Sequence, residues 1–506
     1  MQPAATPSHV QWSNGPETAI GTAPVAFAAP VTPAASSLQD CLNKICSGRD
    51  NCVRYSDDHG LFSYFKEWVR PLNLAYITTP AAVIRPKDSA EVSAVVKCAA
   101  KHGVKVQARS GGHSYANYGS GGLDGSISID LENFQTVWMN TTAGLYQAHI
   151  GAGGKLGDID DKLAPYKRTF AHGVCPGVGI GGHATIGGLG SMSRMWGSCL
   201  DHVQEVEVVI ADGSIVRANK NQNADLFFAI RGAGASFGIV TNFVLSTHPE
   251  PPSVINYIYN FQFSHLPEMV DFFVAWQKLA ADPTLDRRLG TEFMLHPLGA
   301  RVSATWFGTE AEFKKTGIMD RLPSGNDTIA LVETSWIGHL LKEAQKEALR
   351  LGDIPNAFYS KSLGFTKRDL MTKQQVAELF KWVDDAHKGT LAWFLIFDAT
   401  GGAIADVPTN ATAYAHRDKI FFYQSYAINV LRVSSTTRAF LENFHDKLLG
   451  YLPGVKGTYP GYVDPSLRNA QENYWLGNLP QLERIKAKWD PNDVFHNPQS
   501  VRPNSS

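Results

Sequence analysis

The first part of the chain shows alternating hydrophobic periods of two and of about 3.6 residues. Residues 81–85 form a short apolar run, and Asp88 and Glu91 have the spacing of a helical capping box. The amphipathic pattern that follows ends at Gly103, and residues 104–108 have the composition of a buried strand. This order predicts a β-α-β unit.

The same alternation continues to residue 217. Further strands are predicted at residues 126–131, 136–139 and 146–151, followed by a helix around 155–163 and a hairpin over 203–217 that turns at Asp212-Gly213. We therefore predict that the first domain belongs to the α+β class.

The proline-rich stretch at residues 249–252 interrupts this pattern. Beyond it, helices are predicted at residues 268–280 and 340–351 and a strand at residues 301–307. One more helix is predicted near the C-terminus, at residues 481–489. We predict an α+β protein with two domains. The predicted divisions are a flexible Ala/Pro/Ser/Thr-rich leader over 1–36, a first domain over 37–250, a second over 251–455, and a C-terminal segment over 456–506.

The composition argues against nucleic-acid and membrane partners. The 506 residues are 44% hydrophobic, and 46 basic side chains balance 47 acidic ones. No basic block is present to neutralise phosphates, so we expect no nucleic-acid partner. No apolar run approaches the roughly 18 residues that a membrane span needs, so we expect no membrane partner either.

The cysteines and glycosylation sequons favour a secreted, disulfide-bonded glycoprotein. Three of the six cysteines lie within residues 41–52, and no paired histidines follow them, so the spacing favours disulfides over a metal site. Sequons occur at Asn140, Asn326, Asn410 and Asn504. The N-terminus argues the other way, because residues 19–29 are only mildly apolar and no charged segment precedes them.

Two glycine-rich loops carry the candidate chemistry. Residues 109–115 read Arg-Ser-Gly-Gly-His-Ser-Tyr directly after a predicted strand, so their backbone N–H groups can form an anion nest. Residues 173–183 contain so many glycines that a non-protein group is expected to fill the space beside them. Neither loop has the dinucleotide spacing Gly-x-Gly-x-x-Gly, so NAD is not indicated. The alternative is that both loops are ordinary turns.

These two motifs resemble the vanillyl-alcohol-oxidase superfamily, in its berberine-bridge-enzyme-like branch. The resemblance covers nearly all of residues 65–502. Further matching motifs within this range are 187–190, 193–194, 201–203, 224–227, 231–234 and 474–479, with Lys486 and 490–491. It implies a PCMH-type FAD-binding core at about 76–248, a substrate domain with an antiparallel sheet covered by helices, and a C-terminal segment that returns to the first domain.

By this resemblance the cofactor is FAD held on two covalent bonds. His113 is expected to bond the flavin 8α-methyl carbon and Cys175 its C6, while Val178 stands where the family controls oxygen access to the flavin. Further cofactor contacts are expected from Arg109, Ser110, Gly111, Gly112, Ser114, Gly173, Gly179, Gly181, Gly182, His183, Gly187, Gly188, Ile239, Tyr474 and Asn478. The alternatives are that His113 only hydrogen-bonds within its loop and that Cys175 belongs to a disulfide.

With Cys175 assigned to the flavin, we predict disulfides Cys41–Cys98 and Cys46–Cys52, which leaves Cys199 free. The gap between Cys46 and Cys52 permits a tight loop. Cys98 lies on the predicted helix, so its pairing requires the N-terminal segment to fold back over that helix.

Within the branch the chain is most similar to fungal oligosaccharide oxidases, which take hydride from the anomeric carbon of a sugar and release a lactone and hydrogen peroxide. The resemblance implies Tyr474 as the base and Asp398 as its helper. A free phenol titrates near pH ~10, so the tyrosine needs a partner that relays its proton. The alternatives are a core aromatic at Tyr474 and a turn former at Asp398.

The expected substrate contacts are Tyr115, Glu292 and Gln424. Ile337 and Ile396 depart from the pattern, because tyrosine and glutamine are usual there, and both changes remove hydrogen-bonding groups. We expect a monomeric, metal-free oxidase of carbohydrate C1 hydroxyls with oxygen as acceptor. A drier pocket for a phenolic or secondary-metabolite alcohol is the alternative, and a non-catalytic flavin-binding secreted relative is a second.

Overall fold

The computed structural model describes residues 33–58, 61–323, 332–336, 338–340, 354–429 and 432–504. Residues 1–32 of the predicted leader lie outside these ranges, and so does most of the predicted helix at 340–351. The first helix, Pro33–Cys46, begins inside the range assigned to the leader.

The first domain begins with a four-stranded sheet in the order β1-β2-β4-β3. Its strands are β1 (Val53–Tyr55), β2 (Ala82–Ile84), β3 (Val106–Arg109) and β4 (Ile127–Asp130). β2 and β3 both run parallel to β4, which lies between them, and β1 is antiparallel to β2. The helix Ser89–Lys101 connects β2 to β3, and its N-cap Asp88 accepts a 2.9 Å hydrogen bond from the backbone of Glu91. The predicted β-α-β unit is confirmed, with one strand inserted.

A second, antiparallel sheet completes the first domain. Its order is β5-β6-β10-β8-β9, and the strands are β5 (Val137–Asn140), β6 (Gln147–Gly151), β8 (Val203–Val209), β9 (Ile215–Asn219) and β10 (Ile239–Ser246). β7 (Arg168–Thr169) and β11 (His248–Pro249) form a separate pair. The other helices here are Leu61–Ser63, Leu156–Leu163, Ile180–Ile186, Ser193–Trp196 and Ala224–Ala233, with a π-helical turn at Tyr64–Val69.

The chain then forms a seven-stranded antiparallel sheet in the order β15-β12-β14-β13-β17-β18-β16. Its strands are β12 (Val254–Phe261), β13 (Leu289–His296), β14 (Gly299–Phe307), β15 (Val332–Thr334), β16 (Ala357–Phe365), β17 (Ala392–Ala399) and β18 (Phe421–Asn429). Helices Leu266–Ala281, Lys373–Asp385 and Ser435–Tyr451 share one core with this sheet, and the short helix Glu310–Lys315 follows β14. Among the described residues, no helix combines the length and apolar character needed to cross a membrane.

Alternation along β17 separates the two faces of this sheet. Leu395 and Phe397 are fully buried in the core shared with the helices. Phe394, Ile396 and Asp398 project from the opposite face, because successive side chains of a strand point to opposite sides. The second face is therefore available for a site.

The C-terminal segment packs against the first domain. Helices Ala470–Trp475 and Leu479–Trp489 contribute to its core, Phe495 bridges β3 at Val106, and Trp475 Nε1 donates to the carbonyl of Gly232 at 3.0 Å. The resulting fold is the two-domain α+β architecture that the sequence predicted.

Both predicted disulfides are confirmed. The Cα atoms of Cys41 and Cys98 are 6.1 Å apart, and those of Cys46 and Cys52 are 5.7 Å apart. Cys175 and Cys199 are not disulfide-bonded. The N-terminal helix therefore folds back over the helix that carries Cys98, as its pairing required.

A buried ammonium group holds the C-terminal segment in place. Lys486 is fully buried and lies 2.6 Å from a carboxylate oxygen of Asp490 and 3.0 Å from one of Asp493. It also donates to the carbonyls of Ser236, at 2.7 Å, and of Phe495, at 2.9 Å. The bond to Ser236 connects the segment to the first domain.

Removing this ammonium group should destabilise the protein strongly. Lys486→Met leaves the buried Asp490 carboxylate without its counter-charge, so we expect a loss of about 3–5 kcal/mol in the free energy of unfolding, measured by chemical denaturation. Lys488→Met is the matched control, because Lys488 lies on the same helix, is 62% exposed and pairs with Asp225. Its loss should stay below about 1 kcal/mol, and equal losses in the two variants would contradict the assignment.

Candidate active site

A cavity of about 460 Å³ lies between the glycine-rich loops of the first domain and the free face of the seven-stranded sheet. Its walls come from residues 107–115, from parts of 173–193 and 232–236, from β13, β14, β17 and β18, and from the C-terminal segment. All three parts of the fold therefore contribute to one site.

The two glycine loops pack directly against each other. A β-carbon on Gly111 or on Gly179 would collide with the backbone of the other residue, so neither position accepts a side chain. Ser110 joins the loops, because its hydroxyl donates to the carbonyl of Ala152 at 2.6 Å and accepts from the N–H of Gly181 at 3.3 Å. A β-carbon on Gly182 would meet no atom within 4 Å, so the space beside this residue is open. The loops form a backbone-lined wall beside the cavity.

Most of the predicted site residues line this cavity. They are Arg109, Ser110, Gly111, Gly112, His113, Ser114, Tyr115, Gly173, Cys175, Val178, Gly179, Gly182, His183, Glu292, Ile396, Asp398, Gln424 and Tyr474. Gly181, Gly187, Gly188, Ile239 and Asn478 are not among the lining residues. Ile239 is buried on β10, and the side-chain amide of Asn478 donates to the carbonyls of Thr409 and Thr412. Ile337 lies outside the described residues.

The side chain of Arg109 supports the first loop from beneath. Its guanidinium donates to the carbonyls of Trp68, Val69 and Arg70 at 3.3, 2.8 and 3.1 Å. Burial, assisted by the positive charge of Arg70, lowers the pKa of Arg109 to about 10. The guanidinium therefore holds the backbone of residues 68–70 in place. Arg109 also lines the cavity.

Two histidines behind the second loop have opposite protonation tendencies. Burial lowers the pKa of His183 to about 3, helped by His172 and His113, and its Nε2 accepts from the N–H of Gly173 at 2.9 Å. At His172 burial also acts to lower the pKa, but Asp160, 3.0 Å away, outweighs it and the pKa is raised. His183 is thus neutral next to the cavity.

The structure places Tyr462, and not the predicted Tyr474, against Asp398. The Tyr462 hydroxyl donates to Oδ2 of Asp398 at 3.2 Å, and the side-chain amide of Gln424 donates to the same oxygen at 3.4 Å. Burial raises the pKa of Tyr462 well above its usual range, and the charge of Asp398 adds to this. The phenol of Tyr462 is therefore protonated and donates a hydrogen bond to the carboxyl group of Asp398.

Tyr474 is a buried structural residue of the C-terminal segment. Only 3% of it is exposed, and its hydroxyl donates to Oε1 of Gln499 at 3.0 Å. A phenol has one proton to donate, and Tyr474 donates it to Gln499, so the geometry favours Tyr462 over the predicted Tyr474 as the partner of Asp398. The sequence offered one weak signal for Tyr462, namely its place in an irregular, glycine-containing loop of a segment that was expected to return to the first domain.

The cavity wall formed by the sheet has a polar and an apolar part. Glu292 pairs with Asp398 across β13 and β17, and Ser303 lies opposite Glu292 on β14. Further along β17 the wall carries two apolar side chains. Ile396 lies opposite Gln424 on β18, and Phe394 lies opposite Tyr426. Phe394, Tyr426 and Ser303 were not predicted as lining residues.

Aromatic rings close the apolar end. The ring of Tyr115 stacks on that of Tyr462, with centroids 6.3 Å apart, and its hydroxyl donates to Gln424 at 3.3 Å. The ring centroid of Tyr426 lies 6.0 Å from that of Tyr115. Tyr115 therefore connects the aromatic end of the cavity with the Tyr462–Asp398 pair.

Two known families match this chain, one in the first domain and one in the C-terminal segment. Residues 80–219 match the FAD binding domain family, and residues 458–502 match the berberine and berberine like family. Both matched regions contribute residues to the cavity.

Individual relatives match over almost their whole length. The FAD-linked oxidoreductase sorD of Penicillium rubens is 36% identical over 477 residues, which cover 93% of this chain and 99% of the relative. The structure of a xylooligosaccharide oxidase from Myceliophthora thermophila C1 in complex with xylobiose has a TM-score of 0.83 and 30% identity, over 93% of this chain and all of that one. A structure of glucooligosaccharide oxidase from Acremonium strictum, described as containing 6-S-cysteinyl, 8α-N1-histidyl FAD, has a TM-score of 0.82 and 30% identity, over 93% and 100%.

Proposed function

This chain belongs to the berberine-bridge-enzyme-like family of FAD-linked oxidoreductases, with the vanillyl-alcohol-oxidase fold, and we propose that it oxidises an alcohol carbon with molecular oxygen as acceptor. The observation that carries this proposal is the Tyr462–Asp398 pair, which faces the cavity opposite the glycine loops.

Tyr462 and Asp398 act as a proton relay in this proposal. The phenol oxygen of Tyr462 accepts the proton of the substrate hydroxyl while its own proton passes to the Asp398 carboxylate, 3.2 Å away. The raised pKa of Tyr462 makes a free phenolate unfavourable, so the concerted transfer to Asp398 avoids forming one. Gln424 keeps the carboxylate oriented by donating to the same oxygen.

The glycine loops fit FAD. The wall where Gly111 and Gly179 meet admits no side chain, the loop 110–114 offers backbone N–H groups for a pyrophosphate, and the space at Gly182 is open. FAD supplies a hydride acceptor, which oxygen regenerates with release of hydrogen peroxide. Val178 lines the cavity between the loops, and we assign it to oxygen access.

His113 and Cys175 are the proposed covalent attachment points. They stand on separate loops and both line the cavity, so one cofactor can reach both side chains. Cys175 is not part of a disulfide. The glucooligosaccharide oxidase relative carries FAD on a cysteine and a histidine, as its structure is described.

The leading substrate is the anomeric hydroxyl of an oligosaccharide, which oxidation converts to a lactone. Glu292, Gln424 and Tyr115 provide the hydrogen-bonding groups that a sugar needs, and all three line the cavity near Asp398. The relative bound to xylobiose supports this choice.

An apolar alcohol, such as a phenolic or secondary-metabolite carbinol, is the second candidate. Ile396 pairs with Gln424 across the sheet and lies on the same face of β17 as Phe394, and neither of these two apolar side chains can hydrogen-bond a substrate hydroxyl. The monomeric state and an extracellular location are further proposals, and the two disulfides favour the latter.

Covalent attachment has a direct test. Acid-precipitated, washed protein should remain yellow, because a covalent bond outlasts unfolding while bound flavin is released. His113→Ala and Cys175→Ala should each keep covalent flavin through the other residue, and the double variant should release all of it. Flavin in the wash of the wild type would contradict both bonds, and complete release from one single variant would leave one.

The relay is tested by a matched pair of tyrosine variants. Tyr462→Phe deletes the acid-base oxygen but keeps the ring, so rapid-reaction flavin reduction should slow by roughly 100-fold to 10,000-fold. Tyr474→Phe should stay within about threefold of wild type, because that hydroxyl bonds Gln499. In the wild type, reduction should not accelerate between about pH 7 and 9, since the pKa of Tyr462 lies above its usual value near 10. The reverse ranking of the two variants would restore Tyr474 as the base.

Position 396 separates the two substrate classes. Ile396→Gln adds a hydrogen-bonding group beside Gln424, so it should raise kcat/KM for cello-, xylo- or chito-oligosaccharides by roughly 10-fold or more and lower it for apolar alcohols. Ile396→Met is the control for size. If the wild type already releases peroxide with sugars and Ile396→Gln does not raise that activity, the oligosaccharide is favoured as the substrate. If neither sugars nor apolar alcohols bleach the flavin under anaerobic conditions, the non-catalytic alternative is favoured.

A further inference from the structure

The loop that carries Tyr462 is fastened to the edge of the seven-stranded sheet. β16 is the edge strand, and residues 457–466 run along it. The N–H of Gly364 donates to the carbonyl of Gly457 at 2.9 Å, and the hydroxyls of Ser362 and Thr458 are in hydrogen-bond contact. Residues 459–463 then leave the edge and line the cavity.

A buried ion pair fastens the far end of this loop. Lys361 Nζ donates to Oδ2 of Asp464 at 2.8 Å, and the two side chains are only 14% and 5% exposed. Burial acts to lower the pKa of Lys361, but the carboxylate of Asp464 outweighs it, so the pKa is raised and the ammonium stays charged. The pair is therefore a charged contact in a poorly hydrated place, where its geometry is strongly determined.

The other groups of Asp464 are also used. Its Oδ1 accepts from the N–H and the hydroxyl of Ser466, at 2.9 and 2.6 Å, and its carbonyl accepts from the amide of Gln499 at 2.7 Å. Ser466 in turn bonds the hydroxyl of Tyr359 on β16 at 3.0 Å. Asp464 is thus a fixed point only two residues from Tyr462.

We propose that Lys361 is a positioning residue for the proton relay, which sets the place of Tyr462 over Asp398 through its ion pair with Asp464. This inference rests on the proposed function of Tyr462. Lys361 lies on the same side of β16 as the core residue Tyr359 and is not among the residues that line the cavity, so we assign its effect to the loop. Between the Ser362–Thr458 contact and the ion pair, residues 459–463 span the distance from the sheet edge to Asp398. When the attachment at Asp464 is lost, the Tyr462 hydroxyl is no longer held 3.2 Å from Asp398, the distance at which it donates its hydrogen bond.

The test removes both charges together, because one charge left alone in this place endangers folding. The neutral variant is Lys361→Met with Asp464→Asn, and its control is Lys381→Met, whose ion pair with Asp385 is 67% and 61% exposed. Flavin content, flavin spectrum and substrate affinity should match the wild type in both. Flavin reduction should slow by roughly 10-fold to 100-fold in the neutral variant and stay unchanged in the control.

A double-mutant cycle separates positioning from a general structural role. In a Tyr462→Phe background the two neutral substitutions should slow reduction by no more than about twofold further, since there is no hydroxyl left to position. An equal slowing in both backgrounds, or a neutral variant within about threefold of wild type, would overturn the inference. If Tyr462→Phe itself reduces at the wild-type rate, the relay of the proposed function fails and the positioning role with it; a slow Tyr462→Phe with a fast neutral variant removes the positioning role alone.

Discussion

The return of the C-terminal segment to the first domain depends on the buried ammonium of Lys486. This group binds Asp490 and Asp493 within the segment and the carbonyl of Ser236 in the first domain. An ammonium without water must satisfy its charge and its hydrogen bonds locally, which defines where the segment can lie. The segment leaves the sheet edge near residue 457, and Tyr459 and Tyr462 line the cavity before the segment reaches Lys486.

The sheet contributes its side of the cavity through simple alternation. On β17, Leu395 and Phe397 complete the core under the helices, so Phe394, Ile396 and Asp398 must face the other way. A shift of register by one residue would exchange the two sets and bury a carboxylate in the core. The same constraint that stabilises the domain therefore delivers Asp398 to the site, with Glu292 and Gln424 placed beside it by the pairing of β13 and β18.

Electrostatics at the site follow from burial and from a few partners. Burial lowers the pKa of His183 and raises that of Tyr462, so the glycine-loop wall carries a neutral imidazole and the opposite wall a protonated phenol. Two buried ion pairs lie in the surrounding structure: Asp160 supports His172, and Asp464 supports Lys361. Asp398, where proton transfer is proposed, accepts hydrogen bonds from both Tyr462 and Gln424.

By itself the sequence determined the elements and chemistry that depend on near neighbours. The capping of the helix at Asp88, the alternation of the strands, the Cys46–Cys52 pair and the two glycine loops with His113 and Cys175 all depend on residues close in the chain. Tertiary structure alone decided which tyrosine meets Asp398. Tyr462 and Tyr474 are twelve residues apart in one segment, and both line the cavity, so local pattern cannot rank them. The path of the segment between the sheet edge and Lys486 points Tyr462 at Asp398 and sends the Tyr474 hydroxyl to Gln499, a choice made by contacts across the whole fold.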